Sequence, residues 1–400
     1  MKRIIEIPSP SISLLIWTLS LFAILIIFTS ITSHQSVEAK YVFSNKWGTP
    51  GSGSGQFNAP EGIAADSSGR VYVTDTGNNR IQMFRLANPC PSGTTQIVAG
   101  VCFVRGWGTL GTVNGQFNKP TDVSLDASGR VYVADSGNKR IQMFKANGDF
   151  IRAWNTEGPG MTQFGAIVGI AVDTSTNEIY AADSRIQGQG VVHKFRLSNT
   201  CPIGTTMVIS GVCFVNKWTY GDAPQDPPDP DHSLLGIGVN SVTHDVYASF
   251  YEEHRMPGDG SKDRYNIIRR GGEGTSLADW GGLVSNADGR FLRPAGIAID
   301  HSGFVHVADS GNHRIQVFQQ AISCPPGTIQ VKLTVCLVTK WGSAGSADGQ
   351  FNLPTDIDIG GPSNRVYVTD TNNHRIQEFY WKTDVGGPGG DGTSPNIAVK

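Results

Sequence analysis

The sequence has little charge and little helical pattern. Lysine, arginine, aspartate and glutamate make up 16% of its 400 residues, and the formal net charge is −2. Such a balance gives no whole-chain field that would attract nucleic acid or an anionic membrane. Outside the first forty residues, no segment has the apolar period of a helix, which disfavours all-α and α/β folds.

Motifs of several common enzyme classes are also missing. The chain contains no G-x-S-x-G, no H-E-x-x-H and no recognisable serine, histidine and aspartate order. These absences count against serine hydrolases of the nucleophile-elbow type and against zinc peptidases. Glycine, at 49 residues, and proline, at 21, are in contrast abundant. This composition is typical of many short strands joined by tight turns.

The only long apolar run lies at the amino terminus. Residues 12–31, ISLLIWTLSLFAILIIFTSI, follow Lys2 and Arg3 and precede a polar stretch that ends in VEA. This order predicts that residues 1–39 form a secretory signal that is cleaved at its end. The run is also about long enough to span a bilayer as an uncleaved anchor helix. Either outcome places the rest of the chain outside the cytoplasm, secreted or anchored on the outer side of the cell membrane.

The cysteines agree with an extracytoplasmic location. All six fall into three local pairs of equal spacing: Cys90 with Cys102, Cys201 with Cys213, and Cys324 with Cys336. Each pair opens on a C-P-x-G-T turn and continues into strand-like residues, so each is predicted to staple a β-hairpin. A disulfide of this loop size contributes about 3 kcal/mol and persists in an oxidising compartment. Zinc is the alternative, but there is no C-x-x-C and no histidine at ligand spacing.

One motif recurs along most of the chain. DTGNNRIQMF, which begins at residue 75, returns as DSGNKRIQMF at 135, DSGNHRIQVF at 309 and DTNNHRIQEF at 370. A catalytic centre needs its groups once, so a motif repeated at a long period indicates architecture. With the flanking apolar runs, each repeat predicts four short antiparallel strands. Residues 40–381 are therefore predicted to form an all-β, six-bladed β-propeller of four-stranded blades, with an irregular fourth repeat at 234–250.

The repeat accounts for its own recurring charges. In each clear repeat an aspartate closes one strand and an arginine opens the next strand across a tight turn, so the two residues are near-opposite. Four ion pairs are predicted on this basis: Asp75 with Arg80, Asp135 with Arg140, Asp309 with Arg314, and Asp370 with Arg375. A role that recurs in most blades is structural rather than catalytic.

These residues carry a family resemblance. The run P-x-G-I-A-x-D followed by G-x-V-Y-V-x-D-[ST]-G-N-x-R-I-Q-x-F resembles the NHL repeat, from about Tyr41 to Trp381. The match is strong in repeats one, two, five and six, weaker in three and poor in four. The resemblance implies a β-propeller that serves mostly as a binding platform for proteins or RNA, and in some relatives as a lyase or hydrolase. Relatives with lyase activity hold zinc with several histidines on inner strands, and the corresponding strands here have almost none.

The two ends of the repeat region complement each other. Repeat six lacks a fourth strand, while residues 41–48, YVFSNKWG, resemble the fourth-strand ends CFVRGWG and CLVTKWG. We therefore expect the amino-terminal segment to complete blade six and close a monomeric ring. Because cysteine pairs occur in repeats one, three and five, the ring is also predicted to be three copies of a two-blade unit. Residues 382–400 are expected to be a flexible Gly-rich tail.

Function is sought where the repeats differ. In the usual winding, the entries to the blades and the turns between second and third strands share the upper face, and repeat four carries two insertions there, at 221–233 and 251–264. The candidate binding residues in or beside these insertions are Asp226, Asp229, Asp231, His232, Tyr251, Glu252, Glu253 and His254. They are predicted to bind a cation or a basic partner. The alternative is that these are two solvent-exposed loops of a degenerate repeat with no binding role, which would have the same composition.

The channel mouth is a second candidate. Asp122 and Asp356 stand where four other repeats have glycine at the start of the innermost strand, and Glu61 precedes Gly62 on the intervening blade. Three carboxylates that converge on a narrow channel would suit Ca²⁺, which prefers hard oxygen ligands. Hydrated pore-lining acids are the alternative, because the sequence does not give their separation.

The sequence thus predicts an extracytoplasmic interaction module that binds another protein or a cell-surface ligand. The alternative is a propeller enzyme, a metal-dependent lyase or lactone hydrolase, with its site at the channel mouth. RNA binding is disfavoured because the variable turn position supplies little positive charge and export removes the substrate. The residues at that position are Asn79, Lys139, His313 and His374.

Overall fold

The computed structural model describes residues 40–156, 158, 163–184, 190–220, 232–252, 263–361 and 364–382. These residues form six antiparallel sheets, and each innermost strand contacts the innermost strands of both neighbouring sheets. The prediction of an all-β, six-bladed propeller is confirmed. The predicted signal or anchor lies outside the described residues, and so does the predicted tail except for its first residue, Lys382, which ends the last strand. Within the described part of the chain, no helix has the length and apolarity that a bilayer crossing requires.

Each blade runs from an inner strand at the channel to an outer strand. Blade one contains β2 (Pro60–Ala65), β3 (Arg70–Asp75), β4 (Arg80–Leu86), β5 (Thr95–Val98) and β6 (Val101–Trp107). Blade two contains β7 (Pro120–Leu125), β8 (Val131–Asp135), β9 (Arg140–Phe144) and β10 (Phe150–Trp154). Blade three contains β11 (Ala166–Asp173), β12 (Glu178–Ser184), β13 (Gly190–Arg196), β14 (Thr206–Ile209) and β15 (Val212–Tyr220).

Blade four contains β16 (His232–Val239), β17 (Val246–Glu252), β18 (Arg264–Arg270) and β19 (Ser276–Leu283). Blade five contains β20 (Pro294–Ile299), β21 (Val305–Asp309), β22 (Arg314–Gln320), β23 (Ile329–Lys332) and β24 (Val335–Trp341). Blade six contains β25 (Pro354–Gly360), β26 (Arg365–Asp370), β27 (Arg375–Lys382) and β1 (Lys40–Trp47). Short 3-10 turns occupy Thr76–Asn78, Ser136–Asn138, Ser310–Asn312 and Thr371–Asn373.

The apolar core lies between the blades. A strand such as β3, RVYVTD, is buried on both faces because a neighbouring blade covers each side, which explains its near-continuous β-branched and aromatic residues. Six clusters of buried side chains occur in the described residues, and each draws its members from two adjacent blades. Burial between blades, rather than within one sheet, therefore holds the ring together.

The amino-terminal strand closes the ring, as the sequence indicated. β1 pairs with β27 from Lys40 opposite Lys382 to Trp47 opposite Ile376. Beyond blade six, the ring of Tyr41 stacks on that of Trp341 in blade five at 4.1 Å, and its hydroxyl lies 3.5 Å from the Nε2 atom of buried His306. The closing strand is therefore fixed both by its ladder and by side chains of blade five.

The three predicted disulfides are confirmed, and they produce an alternation along the ring. They join Cys90 to Cys102, Cys201 to Cys213, and Cys324 to Cys336. Each lies beside an added hairpin strand, so blades one, three and five have five strands while blades two, four and six have four. The four-stranded prediction thus holds for alternate blades, and the two-blade period is visible in the strand count.

The repeated aspartate organises the turn that follows it. In blade two, the buried Asp135 carboxylate accepts hydrogen bonds from Arg140 Nε at 2.7 Å, Asn138 Nδ2 at 2.9 Å and Gln142 Nε2 at 3.0 Å. Arg140 in turn donates to three carbonyl groups of the loop that enters the blade. The same aspartate–arginine contact, at 2.6 to 2.7 Å, is made by Asp75 with Arg80, Asp309 with Arg314, and Asp370 with Arg375.

Candidate functional site

Two cavities lie along the axis of the ring. A cavity of about 740 Å³ is lined by the ends of the inner strands and by the turns that follow them, so it opens on the lower face. A smaller one of about 180 Å³ is lined by the beginnings of the inner strands at the upper face. Asp122 and Asp356 line both cavities and therefore lie where the two meet.

Both of these aspartates hold a neighbouring blade. Asp122 of blade two accepts a hydrogen bond at its Oδ2 from the Ile170 N–H of blade three, at 2.7 Å. Asp356 of blade six accepts one at its Oδ2 from the Ile63 N–H of blade one, at 2.8 Å. Their carboxylates thus satisfy backbone donors of adjacent inner strands, which have no ladder partner on that side.

A third acid of the channel makes the same kind of hydrogen bond to a neighbouring inner strand, closer to the lower face. Asp358 lies two residues after Asp356 on β25, and its Oδ2 accepts the Ala65 N–H at 2.7 Å. Burial raises the pKa of Asp358 to about 7. Burial, followed by the charge of Asp122, raises the pKa of Asp356 well above its usual value. The channel therefore retains protons into the neutral range.

Glu61 lies at the upper mouth, near the two aspartates. It lines the smaller cavity together with Asp122 and Asp356, and burial raises its pKa to about 7 against an opposing effect of Lys119. Among the described residues, no group of three or more histidine, cysteine, aspartate or glutamate side chains has an arrangement that could hold a metal ion. Calcium binding by Glu61, Asp122 and Asp356 stays a prediction.

The upper end of blade four departs from the other blades. The position of the repeated aspartate is taken by Phe250, which is buried and lies 6.3 Å from the Tyr220 ring. β17 and β18 continue past it, and the rings of Tyr251 and Tyr265 face each other across the ladder at 4.9 Å. Glu252 pairs with exposed Arg264 at the last position of this ladder.

Exposed apolar residues lie beside this extension. Arg264 is the ladder partner of Leu283 at the end of β19, and Val284 donates its N–H to the Asp263 carbonyl at 3.1 Å. The side chains of Leu283 and Val284 are both exposed. We name Tyr251, Glu252, Arg264, Tyr265, Leu283 and Val284 the blade-four rim.

Only part of the predicted upper-face site can be placed. Tyr251 and Glu252 belong to the blade-four rim, and His232 begins β16, where its backbone pairs with Glu252. Glu253 and His254 lie outside the described residues, as do Asp226, Asp229, Asp231 and the side chain of His232.

Sequence reasoning missed Asp358, the lower cavity and the apolar half of the rim. Asp358 had a usable signal, because PTDID places it two residues after Asp356 and hence on the same face of the strand. Leu283 and Val284 had none, since they lie at and just after the end of the last strand of the most irregular repeat.

Comparisons with known proteins agree with the fold. A family model for the NHL repeat matches residues 57–84, 117–144, 291–318 and 351–379, which lie in blades one, two, five and six. Human NHL repeat-containing protein 3 is 35% identical over 117 residues, or 27% of this chain and 30% of the human protein. A Caenorhabditis elegans protein named probable peptidyl-alpha-hydroxyglycine alpha-amidating lyase is 29% identical over 138 residues, or 34% of this chain and 37% of that protein.

These matches span about a third of the length of the curated relatives. A crystal structure of a Bacteroides thetaiotaomicron protein of unknown function superposes with a TM-score of 0.53 at 15% identity, over 86% of this chain and 77% of that chain. At this identity the superposition shows the fold alone. With four matched repeats and six blades, the chain is an NHL-repeat β-propeller.

Proposed function

We propose that the protein is an extracytoplasmic binding module in which the blade-four rim holds a partner protein. The observation that carries this proposal is the loss of the repeated aspartate at blade four, since blade three still keeps it as Asp183, which accepts the Gly165 N–H and contacts His193. Blades one, two, five and six keep the aspartate–arginine turn, whereas blade four has Phe250 in place of the aspartate and two strands that extend beyond it.

The composition of the rim suits a protein partner. Paired tyrosines and an exposed arginine are residue types enriched at protein interfaces, and the exposed Leu283 and Val284 add apolar surface beside them. A large rigid ring beneath them keeps the entropic cost of binding low, because the strands that carry the rim are already ordered.

The location is part of the same proposal. Three disulfides indicate an oxidising compartment, and the apolar run at 12–31 is the predicted export signal or anchor. A secreted or surface-anchored ring would meet partners that a cytoplasmic one would not.

Site-specific photocrosslinking in the source cells tests the binding surface. Benzoylphenylalanine is placed at Leu283 on the rim and, as a control, at Val113, an exposed residue of the upper-face loop entering blade two. The proposal expects a discrete protein adduct at Leu283 and none at Val113. Equal adducts at both positions, or none at either, would refute a binding surface at blade four.

An enzyme is the second candidate, and the lyase-named relative is the observation that favours it. The carboxyl groups of Glu61 and Asp358, with their raised pKa values, would act there as the titratable groups of an axial site. Incubation of the purified chain with a peptidyl-α-hydroxyglycine substrate, with and without added zinc or calcium, tests it. Turnover that is lost in Glu61→Gln would favour the enzyme over the binding module.

A further inference from the structure

Large apolar side chains are unusually exposed on the lower face. The four most exposed such residues in the described part of the chain are Ile203, 107% exposed, Ile322, 94%, Leu333, 79%, and Val242, 75%. Val242 lies in the turn after inner strand β16, while Ile322 and Leu333 lie on either side of β23 in the blade-five hairpin. Ile203 lies in the blade-three hairpin between β13 and β14, so all four are at the lower end of three consecutive blades.

The hairpin fold does not require these residues. The N–H groups of Ala87 in blade one and Ala321 in blade five make the same hydrogen bond to the hairpin tip, so Ile322 corresponds to Asn88. By the same register Leu333 corresponds to Ala99 in blade one and to Ser210 in blade three. Blades one and three thus form the same disulfide-bonded hairpin with small or polar residues at these two positions, and the blade-three hairpin exposes Ile203 at a different position, in its C-P-I-G-T turn.

The amino-terminal chain leads to the same face. β1 runs from the lower to the upper face, so its first residue, Lys40, lies at the lower rim of blade six. Blade five is adjacent there, because Tyr41 packs on Trp341. Residues 32–39 span at most about 28 Å when fully extended, and the apolar run at 12–31 precedes them. An uncleaved anchor would hold the lower rim of blades five and six close to the bilayer.

We propose that the lower face of blades four and five rests on the lipid surface of the anchoring membrane, with Ile322 and Leu333 entering the interfacial layer. Lys332, which precedes Leu333 and has an exposed side chain paired with Asp279 at 3.3 Å, lies where it can exchange that partner for a lipid phosphate. Two apolar side chains bind a bilayer weakly alone, but the anchor makes this contact intramolecular.

This contact would set the orientation of the ring. With the lower face on the membrane, the blade-four rim points away from it, towards soluble or opposing-cell partners. The membrane contact does not depend on whether the rim binds a protein, and the two proposals fail independently.

Fluorescence of the full chain in phosphatidylcholine–phosphatidylglycerol vesicles tests the contact. The described residues contain no free cysteine and all six cysteines are in disulfides, so Ile322→Cys offers one thiol for an environment-sensitive label. Leu110→Cys, at a residue of the upper face that is 66% exposed, is the matched control. With a quencher on the lipid chains, the label at position 322 should lose most of its emission and the label at 110 almost none. Equal emission from the two labels would overturn the proposal.

A second measurement uses the ring without the anchor, since residues 40–382 contain every strand described. Because the contact is weak without the anchor, the chain from Lys40 is sedimented with the same vesicles at lipid concentrations raised until part of the protein binds, and Ile322→Ser/Leu333→Ser is expected to lower its partition coefficient about tenfold. Leu110→Ser/Val113→Ser on the upper face should leave it unchanged. Sedimentation unaffected by the lower-face change would contradict the proposal. A blue shift of the 322 label that grows with protein concentration in the absence of vesicles would instead assign the patch to a second copy of the chain.

Discussion

Replacing Trp47 by alanine is expected to open the ring at its closing strand. The Trp47 side chain is 2% exposed, and its ring lies 5.8 Å from Phe84 and 6.3 Å from Tyr367. Removal of a fully buried tryptophan costs about 3 to 5 kcal/mol of unfolding free energy. β1 is attached to the rest of the chain at one described end only, through blade one. The loss should therefore appear first as separation of β1 from β27.

Hydrogen exchange locates this separation. The amides of β27 that face β1 should lose protection under conditions in which the other blades stay protected. The freed edge of β27 should also promote association, seen as concentration-dependent size in light scattering.

Trp107→Ala is the matched control. Trp107 occupies the equivalent position in blade one and contacts Phe144 and Tyr72, but β6 is continuous with the chain at both ends. The Trp107→Ala change should lower the free energy of unfolding without a selective loss of amide protection in β4. If both variants exposed their neighbouring strands equally, the closing strand would not be the weak joint of the ring, and the reasoning would be wrong.

Two further predictions concern stability. Because the folded pKa of Asp358 is about 7 and its ordinary value is 3.8, the folded state holds the extra proton between these values, and unfolding free energy falls as the pH rises from about 4 to about 7. One such proton changes the unfolding free energy by at most about 1.4 kcal/mol per pH unit. The difference in melting temperature between pH 5 and pH 8 should therefore be smaller in Asp358→Asn than in the parent protein. The control Asp279→Asn, at an exposed residue, should leave that difference unchanged. Cys201→Ser/Cys213→Ser should lower the unfolding free energy by about 3 kcal/mol, measured by chemical denaturation, and an unchanged value would mean that the bond does not restrain the unfolded chain.

The fold could be predicted from the sequence because each repeat contains, within a short segment, the residues that mark its own strands and turns. The motif around Asp135 and Arg140 contains two strand ends and the turn between them, and four copies place most of the ring. Closure was also visible, since residues 41–48 look like the outer strands of other blades. The fifth strands were not counted in the four-stranded prediction, although the strand-like residues after Cys90 and the predicted hairpin already indicated one.

The candidate sites were less predictable because they depend on distances between blades. The sequence placed Asp122 and Asp356 at the channel but did not reveal that the N–H groups of Ile170 and Ile63 already occupy their oxygen atoms. In the sequence alone, an aspartate at a position where other repeats have glycine is therefore equally compatible with a metal ligand and with an acceptor of hydrogen bonds between blades.

The most direct test of the account compares one residue of the blade-four rim with one residue of the repeated turn. Crosslinking yield at Leu283 and melting temperature are measured for Arg264→Glu and for Arg140→Ala. The account predicts that Arg264→Glu abolishes the adduct and leaves the melting temperature nearly unchanged. It predicts that Arg140→Ala lowers the melting temperature but still forms the adduct at temperatures where the variant is folded. An adduct that survives Arg264→Glu, or that is lost in folded Arg140→Ala, would contradict the division between a structural repeat and a binding rim.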